Sequence, residues 1–246
     1  MLFNTETSQK EFYIDNLTKL ISSYPRERYP LSPAHEKIFD VEYKMNREGS
    51  NGFIGKIVRK LEEWMHVHVA KYSGIGSSLE VGAGTLNHLQ FEDLRQAYDI
   101  VEPYELLYSD KTNELSKIRD VYSSIASIPI DKKYSRVISI AVLEHMTDLP
   151  SELEAIYLRL KDGGVFQAAI PSEGGFLWGI SWRLTTAISY KLRTGLSYAS
   201  IMKHEHLNNA DEILLLINHY FSDIKIKRFP FNNSHLSFYT YIEARK

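Results

Sequence analysis

The amino-acid sequence predicts an α/β fold: a doubly wound sheet, mostly parallel, finished by an antiparallel hairpin at its C-terminal end. Three observations predict it. From residue 77 onward, short apolar runs alternate with stretches of helical periodicity, which is the pattern of a parallel sheet covered by helices on both faces. The first run, Ser77-Ser78-Leu79-Glu80-Val81, opens directly into Gly82-Ala83-Gly84, a turn through which a strand can pass close under a ligand. The last two runs, over 223–229 and 236–244, alternate apolar and polar positions and are joined by the turn-forming Pro-Phe-Asn-Asn-Ser at 230–234.

The elements follow in order. Residues 1 to about 24 carry Phe12, Leu17, Leu20 and Ile21 at helical spacing and read as one amphipathic helix. The next ten residues contain three prolines, which lack an amide donor and restrict their predecessors, so this stretch is an extended connector. Helical periodicity returns over about 53–72 through Leu61 and Trp64. Residues 1–72 thus form a helical extension or cap, and 73–246 the main domain. Within it, strands are expected at 77–81, 97–101, 135–141 and 164–170, with helices at about 86–96, 104–118 and 148–160 between them. Lys161-Asp162-Gly163-Gly164 closes the last of these helices. Residues 174–206 are an inserted lid, rich in aromatic and basic side chains. A helix at about 209–219 follows, opened by Asn209 with Glu212 three residues on, a loose capping box.

Composition narrows the function classes. The 246 residues are 43% hydrophobic and 24% charged, which is globular composition. A formal net charge of −2 gives no basic footprint for a nucleic-acid backbone. With no cysteine, neither a disulfide framework nor a thiolate metal site can form, which fits a reducing cytoplasm. The first residues lack the basic and apolar regions of a secretory leader, and no apolar run is long enough to span a bilayer.

The chemistry concentrates at Glu80-Val81-Gly82-Ala83-Gly84. Alone, this is compatible with a plain strand-to-helix turn. Glu102 lies 20 residues after Gly82 at the end of the next strand, where a doubly wound sheet sets a carboxylate against two ribose hydroxyls. A dinucleotide site would need a third glycine so that the helix N-terminus can accept a pyrophosphate, but that position is Asn87. Glu80 would repel a phosphate and attract an ammonium group. The ligand expected is a nucleoside without phosphates, carrying an amino-acid arm.

Leu79-Glu80-Val81-Gly82-Ala83-Gly84-Thr85, Ile100-Val101-Glu102-Pro103-Tyr104-Glu105, the segment 137–146 with Val142-Leu143-Glu144-His145-Met146, and 160–171 occur in an order that resembles the class I S-adenosylmethionine-dependent methyltransferases, with their Rossmann-like fold. The resemblance implies that Glu80, Gly82, Ala83 and Gly84 line the methionine and ribose part of an S-adenosylmethionine site. It implies that Glu102 holds the ribose hydroxyls, that Pro103 flanks the adenosine, and that Ala141 and Val142 lie near the methionine portion. Ser124 and Ile125 match an adenine-side position where relatives often carry Asp-Ala. Some relatives bind a divalent cation through Glu-x-x-Glu-His on the segment after the fourth strand; Ala141 replaces the first of these acids, so no metal is expected.

The candidate catalytic residues are His206, His145 and His204. His206 precedes a Leu-Asn pair that the resemblance places on the substrate side, and an imidazole can take a proton near neutral pH. Packing or helix capping for His145, and a solvated loop position for His204, are the structural alternatives. The lid interleaves Trp178, Trp182, Tyr190 and Tyr198 with Arg183, Lys191 and Arg193, suited to stacking on sugar rings or lying at a membrane interface, or simply to packing on the domain. Arg26 and Arg28 could add an anion-binding edge to an acceptor pocket. The reaction expected is methyl transfer to a sugar hydroxyl of a glycan or polysaccharide precursor. A small natural product, quinone or lipid is the alternative acceptor, and a non-catalytic binding module the alternative of another class.

Overall fold

Seven strands form one sheet in the order β3-β2-β1-β4-β5-β7-β6 in the computed structural model, which describes residues 3–39, 53–72 and 76–246. The strands are β1 (Ser78–Val81), β2 (Tyr98–Val101), β3 (Asp120–Tyr122), β4 (Tyr134–Ile140), β5 (Leu160–Pro171), β6 (Ser222–Pro230) and β7 (Ser237–Arg245). The first five pair in parallel and the last two antiparallel, so the expected doubly wound sheet with a terminal hairpin is what the chain forms.

Successive residues of β4 point to opposite faces, and both faces are covered. Val137 joins a cluster with Leu149, Leu153, Ile156, Ile213, Leu216 and Ile217, while Ile138 joins Met65, Val69, Tyr239 and Tyr241 on the other side. The helices responsible are α1 (Phe3–Ser22), α2 (Phe53–Val69), α3 (Leu149–Arg159), α4 (Phe176–Leu184), α5 (Thr186–Thr194), α6 (Tyr198–Glu205) and α7 (Ala210–Tyr220). The first face receives α1, α3 and α7; the second receives α2. The lid holds α4, α5 and α6. At the start of α7, Asn209 accepts from the amides of Asp211 and Glu212, and the Glu212 carboxylate accepts from the Asn209 amide, which completes the capping box.

Several local expectations fail for identifiable reasons. The helix expected at 86–96 is only a 3₁₀ turn, Leu89–Phe91, because His88 turns inward to pair with Glu92, which in turn accepts from Arg136. Over 104–118 there is one 3₁₀ turn, Glu105–Leu107, and a single helical turn, Thr112–Leu115. β3 has no apolar run to announce it: it is a three-residue edge strand, half-buried at best. The turn at 161–164 is drawn into β5, where pairing jumps from Tyr134–Leu160 to Arg136–Val165. In α1, Leu17 is buried but Phe12 is 70% exposed, so the apolar face is narrower than its spacing suggests.

Candidate active site

The order of strands reverses between β1 and β4, and in such a sheet the crevice beyond the strand ends is where a ligand fits. Gly82 sits there with φ +75°, and a Cβ on it would lie 2.4 Å from Cγ2 of Val142, so conformation and close approach both demand glycine. Gly84 also has positive φ, and its amide donates to Glu102 Oε2 at 2.7 Å. The amide of Tyr104 donates to Oε1 of the same carboxylate at 2.9 Å. Glu102 therefore stitches the loop after β1 to the loop after β2, while buried beside the crevice.

Two cavities meet at this edge. The larger, about 320 Å³, is lined by Gly82, Glu102, Pro103, Tyr104, Ser124, Ile125 and Val142, with Arg28, His145 and Asp148 among the residues closing it. The smaller, about 180 Å³, is lined by Met65, Ala141, Glu144, His145, Trp178, Tyr198, Glu205, His206 and Tyr239. His145 belongs to both walls.

His145 and His206 are brought together by backbone ties. The amides of Leu207 and Asn208 donate to the Glu144 carbonyl at 2.7 and 3.1 Å, and Asn208 Nδ2 donates to the carbonyls of Leu143 and Met146, each at 2.8 Å. These bonds clamp the segment after α6 onto the turn after β4, leaving the two imidazoles 4.8 Å apart and edge to face. His145 Nδ1 pairs with the Glu205 carbonyl at 2.9 Å, and His206 Nδ1 with Glu173 Oε2 at 2.6 Å. Burial by itself would depress the His206 pKa. The hydrogen bond to Glu173 and the charges of Glu173, Glu144 and Glu205 outweigh that and raise it above its ordinary value.

No protein-family model and no curated protein sequence matches the chain. Solved structures do. The chain resembles an S-adenosylmethionine-dependent methyltransferase of Thermotoga maritima described as a possible histamine N-methyltransferase, with 16% identity, 79% of this chain and 96% of that one covered, and TM-score 0.57. It resembles the N-methyltransferase NodS of Bradyrhizobium japonicum bound to S-adenosyl-L-homocysteine, with 10% identity, coverage of 76% and 87%, and TM-score 0.53. A third likeness is to an S-adenosylmethionine-dependent methyltransferase of Clostridium acetobutylicum, with 12% identity, coverage of 86% and 98%, and TM-score 0.55. The chain has the class I methyltransferase fold.

Against that methyltransferase fold, the sequence-derived site residues fall into three groups. Gly82, Glu102, Pro103, Ser124, Ile125 and Val142 line the larger cavity. Ala141, which has φ +53° just past the end of β4, lines the smaller cavity. Glu80, Ala83 and Gly84 are not in the wall of either; Gly84 acts through its amide on Glu102. Glu80 points into the protein, where its Oε2 accepts from the Tyr98 hydroxyl at 2.8 Å. Ser124 is occupied locally, its hydroxyl accepting from the Ser127 amide at 3.2 Å to cap a 3₁₀ turn.

Of the histidines, His204 lines neither cavity, and its Nδ1 pairs with the Tyr29 carbonyl at 2.7 Å on the surface. Arg26 is committed to Glu212, with contacts of 2.8 and 3.0 Å, whereas Arg28 donates to the His145 carbonyl at 2.9 Å and reaches the larger cavity. Sequence reasoning missed Glu173. Its signal was position: it follows Ser172 at the carboxyl end of β5, on the sheet edge where functional groups collect.

Among the described residues, His145, Glu205 and His206 offer ligand atoms within 4.8 Å of one another. Glu205 lies 60 residues beyond His145 in the chain and so falls outside the local Glu-x-x-Glu-His register in which Ala141 replaces an acid.

The position of Glu80 gives a stability prediction. Burial pushes its pKa up to about 7, against the opposing pull of His88 and the Tyr98 hydroxyl. A carboxyl raised on folding stabilises the fold fully below its ordinary pKa and loses that contribution as pH rises through the folded value. Glu80→Gln should therefore gain about 3 kcal/mol over the native protein in alkaline solution, the equivalent of a shift from the ordinary carboxylate range to about 7. Thermal melts from about pH 5 to about pH 9 should show the gap between the two proteins opening with pH; parallel curves would refute it.

Proposed function

We propose that the chain is an S-adenosylmethionine-dependent methyltransferase that holds its cofactor in the larger cavity and its acceptor in the smaller. The observation that carries this reading is the Glu102 carboxylate, fixed by the amides of Gly84 and Tyr104 at the wall of the cavity beneath the β1–β4 crossover. Its remaining lone pairs suit two ribose hydroxyls. Pro103, Tyr104 and Ile125 offer flat or apolar surface for adenine. Arg28 supplies a cation for the carboxylate of the amino-acid arm, and Gly82 lets that arm pass close to the backbone. A sulfonium is already an activated methyl donor, so this chain's own work is placement: the acceptor's nucleophile must face the methyl group in line, with water excluded.

For the acceptor we favour a hydroxyl, as on a sugar. The His206–Glu173 pair supports it, since a neutral imidazole held by a carboxylate can take the hydroxyl proton as the new O–C bond forms. Trp178, Tyr198 and Tyr239 give the cavity aromatic walls, and the Trp178 indole N–H is buried without a hydrogen-bond partner among the described residues, a donor for an acceptor oxygen. One observation favours an amine instead: Glu62, Glu144 and Glu205 set three carboxylates around the same aromatic space. A panel pairing monosaccharides with primary amines separates the two readings.

Calorimetry tests the cofactor assignment directly: S-adenosylmethionine and S-adenosylhomocysteine should both bind, and absence of heat with both would overturn it. Glu102→Ala should weaken binding by about 1.5–3 kcal/mol, the scale of hydrogen bonds to a charged group. Unchanged affinity would move the ribose elsewhere.

A further inference from the structure

The outer face of the lid is unlike the rest of the surface. Phe176, Ile180, Leu184, Ile188 and Leu192 recur every four residues along α4 and α5, with exposures of 66, 37, 64, 49 and 82%. Side chains four apart are neighbours on a helix. The amide of Thr185 donates to the Ser181 carbonyl and that of Ser189 to the Thr185 carbonyl, each at 3.1 Å, so backbone bonding continues through the break between the two helices.

The inner face is already used. Tyr190 is 1% exposed, stacked on His35 and against Tyr198, and His35 Nε2 meets the Ser197 carbonyl at 3.0 Å. The outward residues are therefore apolar on a lid that has already found its place on the body. The loop between β6 and β7 extends the patch: its His235 carbonyl accepts from the Leu177 amide at 2.9 Å, and its Phe231 and Leu236 are exposed.

Charge says what covers this face. Residues 174–204 contain Arg183, Lys191, Arg193 and Lys203 and no aspartate or glutamate, in a chain whose formal net charge is −2. Arg183 lies over the Trp182 ring at 4.7 Å, so a cation and an aromatic ring share the edge of the stripe. We propose that the outer face of α4 and α5 docks on the surface of an anionic lipid bilayer, the apolar stripe entering the headgroup boundary and the basic residues pairing with lipid phosphates. A second copy of the chain would bring the same cationic surface against itself, which disfavours self-association there. Among the described residues no helix is long and apolar enough to cross a membrane, so the contact is interfacial.

Vesicle co-sedimentation of the full chain tests this without reference to methyl transfer. The protein should pellet with phosphatidylglycerol-rich vesicles, much less with phosphatidylcholine alone, and be released by high salt. Leu184→Glu combined with Leu192→Glu should lower the bound fraction by at least about tenfold while circular dichroism stays native, because both side chains are solvent-facing and the changes add anionic repulsion. Lys191→Glu should weaken binding to anionic vesicles alone. Equal binding to neutral vesicles, binding retained by the double variant, or a dimer in light scattering that the double variant dissolves would each overturn the proposal.

Discussion

Replacing His206 with alanine is expected to cut turnover by about 10²–10⁴-fold, the usual contribution of a positioned general base, with little change in cofactor affinity. The imidazole acts only when neutral, and Glu173 together with Glu144 and Glu205 raises its pKa above the ordinary histidine value despite burial. Activity should accordingly climb with pH along a limb whose midpoint lies above that of a free histidine. Glu173→Gln removes the carboxylate charge and weakens the hydrogen bond to His206, leaving only Glu144 and Glu205 to oppose burial, so the limb should move to lower pH. Its plateau should also fall, because a neutral amide holds the ring at Nδ1 less firmly than a carboxylate and does not stabilise the imidazolium that forms as the proton is taken. A pH–rate profile for the three proteins checks all of this, and an unmoved limb in Glu173→Gln would remove His206 from the chemistry. Chelation should leave turnover intact; a loss reversed by added divalent metal would reassign His145, Glu205 and His206 as ligands.

What could be read from the sequence, and what could not, divides by the range of the interaction. Gly82 and Glu102 were legible because their demands are local: a backbone needing positive φ, and a carboxylate at the end of the second strand. The parallel sheet and its closing hairpin were legible because apolar alternation is local too. The partner of Glu80 was not legible, because adjacency to a glycine turn does not say which face a side chain takes. Strand alternation sends it to the side of Tyr98, where a hydroxyl was waiting. Glu173 meets His206 across 33 residues, and Arg28 meets the His145 carbonyl across 117, pairings that only the folded chain creates. The expected helix at 86–96 failed for the same reason, since its Glu92 serves a distant arginine.

That arginine carries the largest stability prediction. Arg136 is buried on β4 and forms two bonds to Glu92, of 2.8 and 2.9 Å, one to Gln167 of 2.6 Å and one to the Val69 carbonyl of 2.8 Å. His88 adds a bond of 2.7 Å to Glu92, and Gln167 donates to the Tyr241 hydroxyl at 2.6 Å. Removing one partner of such a pair leaves an uncompensated charge in the interior, so Glu92→Ala should cost about 3–5 kcal/mol. Replacing Arg136 and Glu92 together by apolar residues of similar volume should recover much of that loss. Burial would raise the Glu92 pKa, but the hydrogen bonds of His88 and Arg136 and the Arg136 charge lower it to about 2. Its contribution is therefore complete above the ordinary carboxylate range and disappears as pH falls through about 2. Urea denaturation of the native protein and Glu92→Ala should give midpoints that converge in acid; a constant gap would show that the network's charge is immaterial. The network also grips the end of α2 through Val69, and α2 carries Glu62 and Met65 into the smaller cavity. Conservative weakening, as in Glu92→Gln, should thus raise KM for the acceptor while leaving calorimetric binding of the cofactor, whose proposed cavity is lined from the ends of β1 and β2, near its native value.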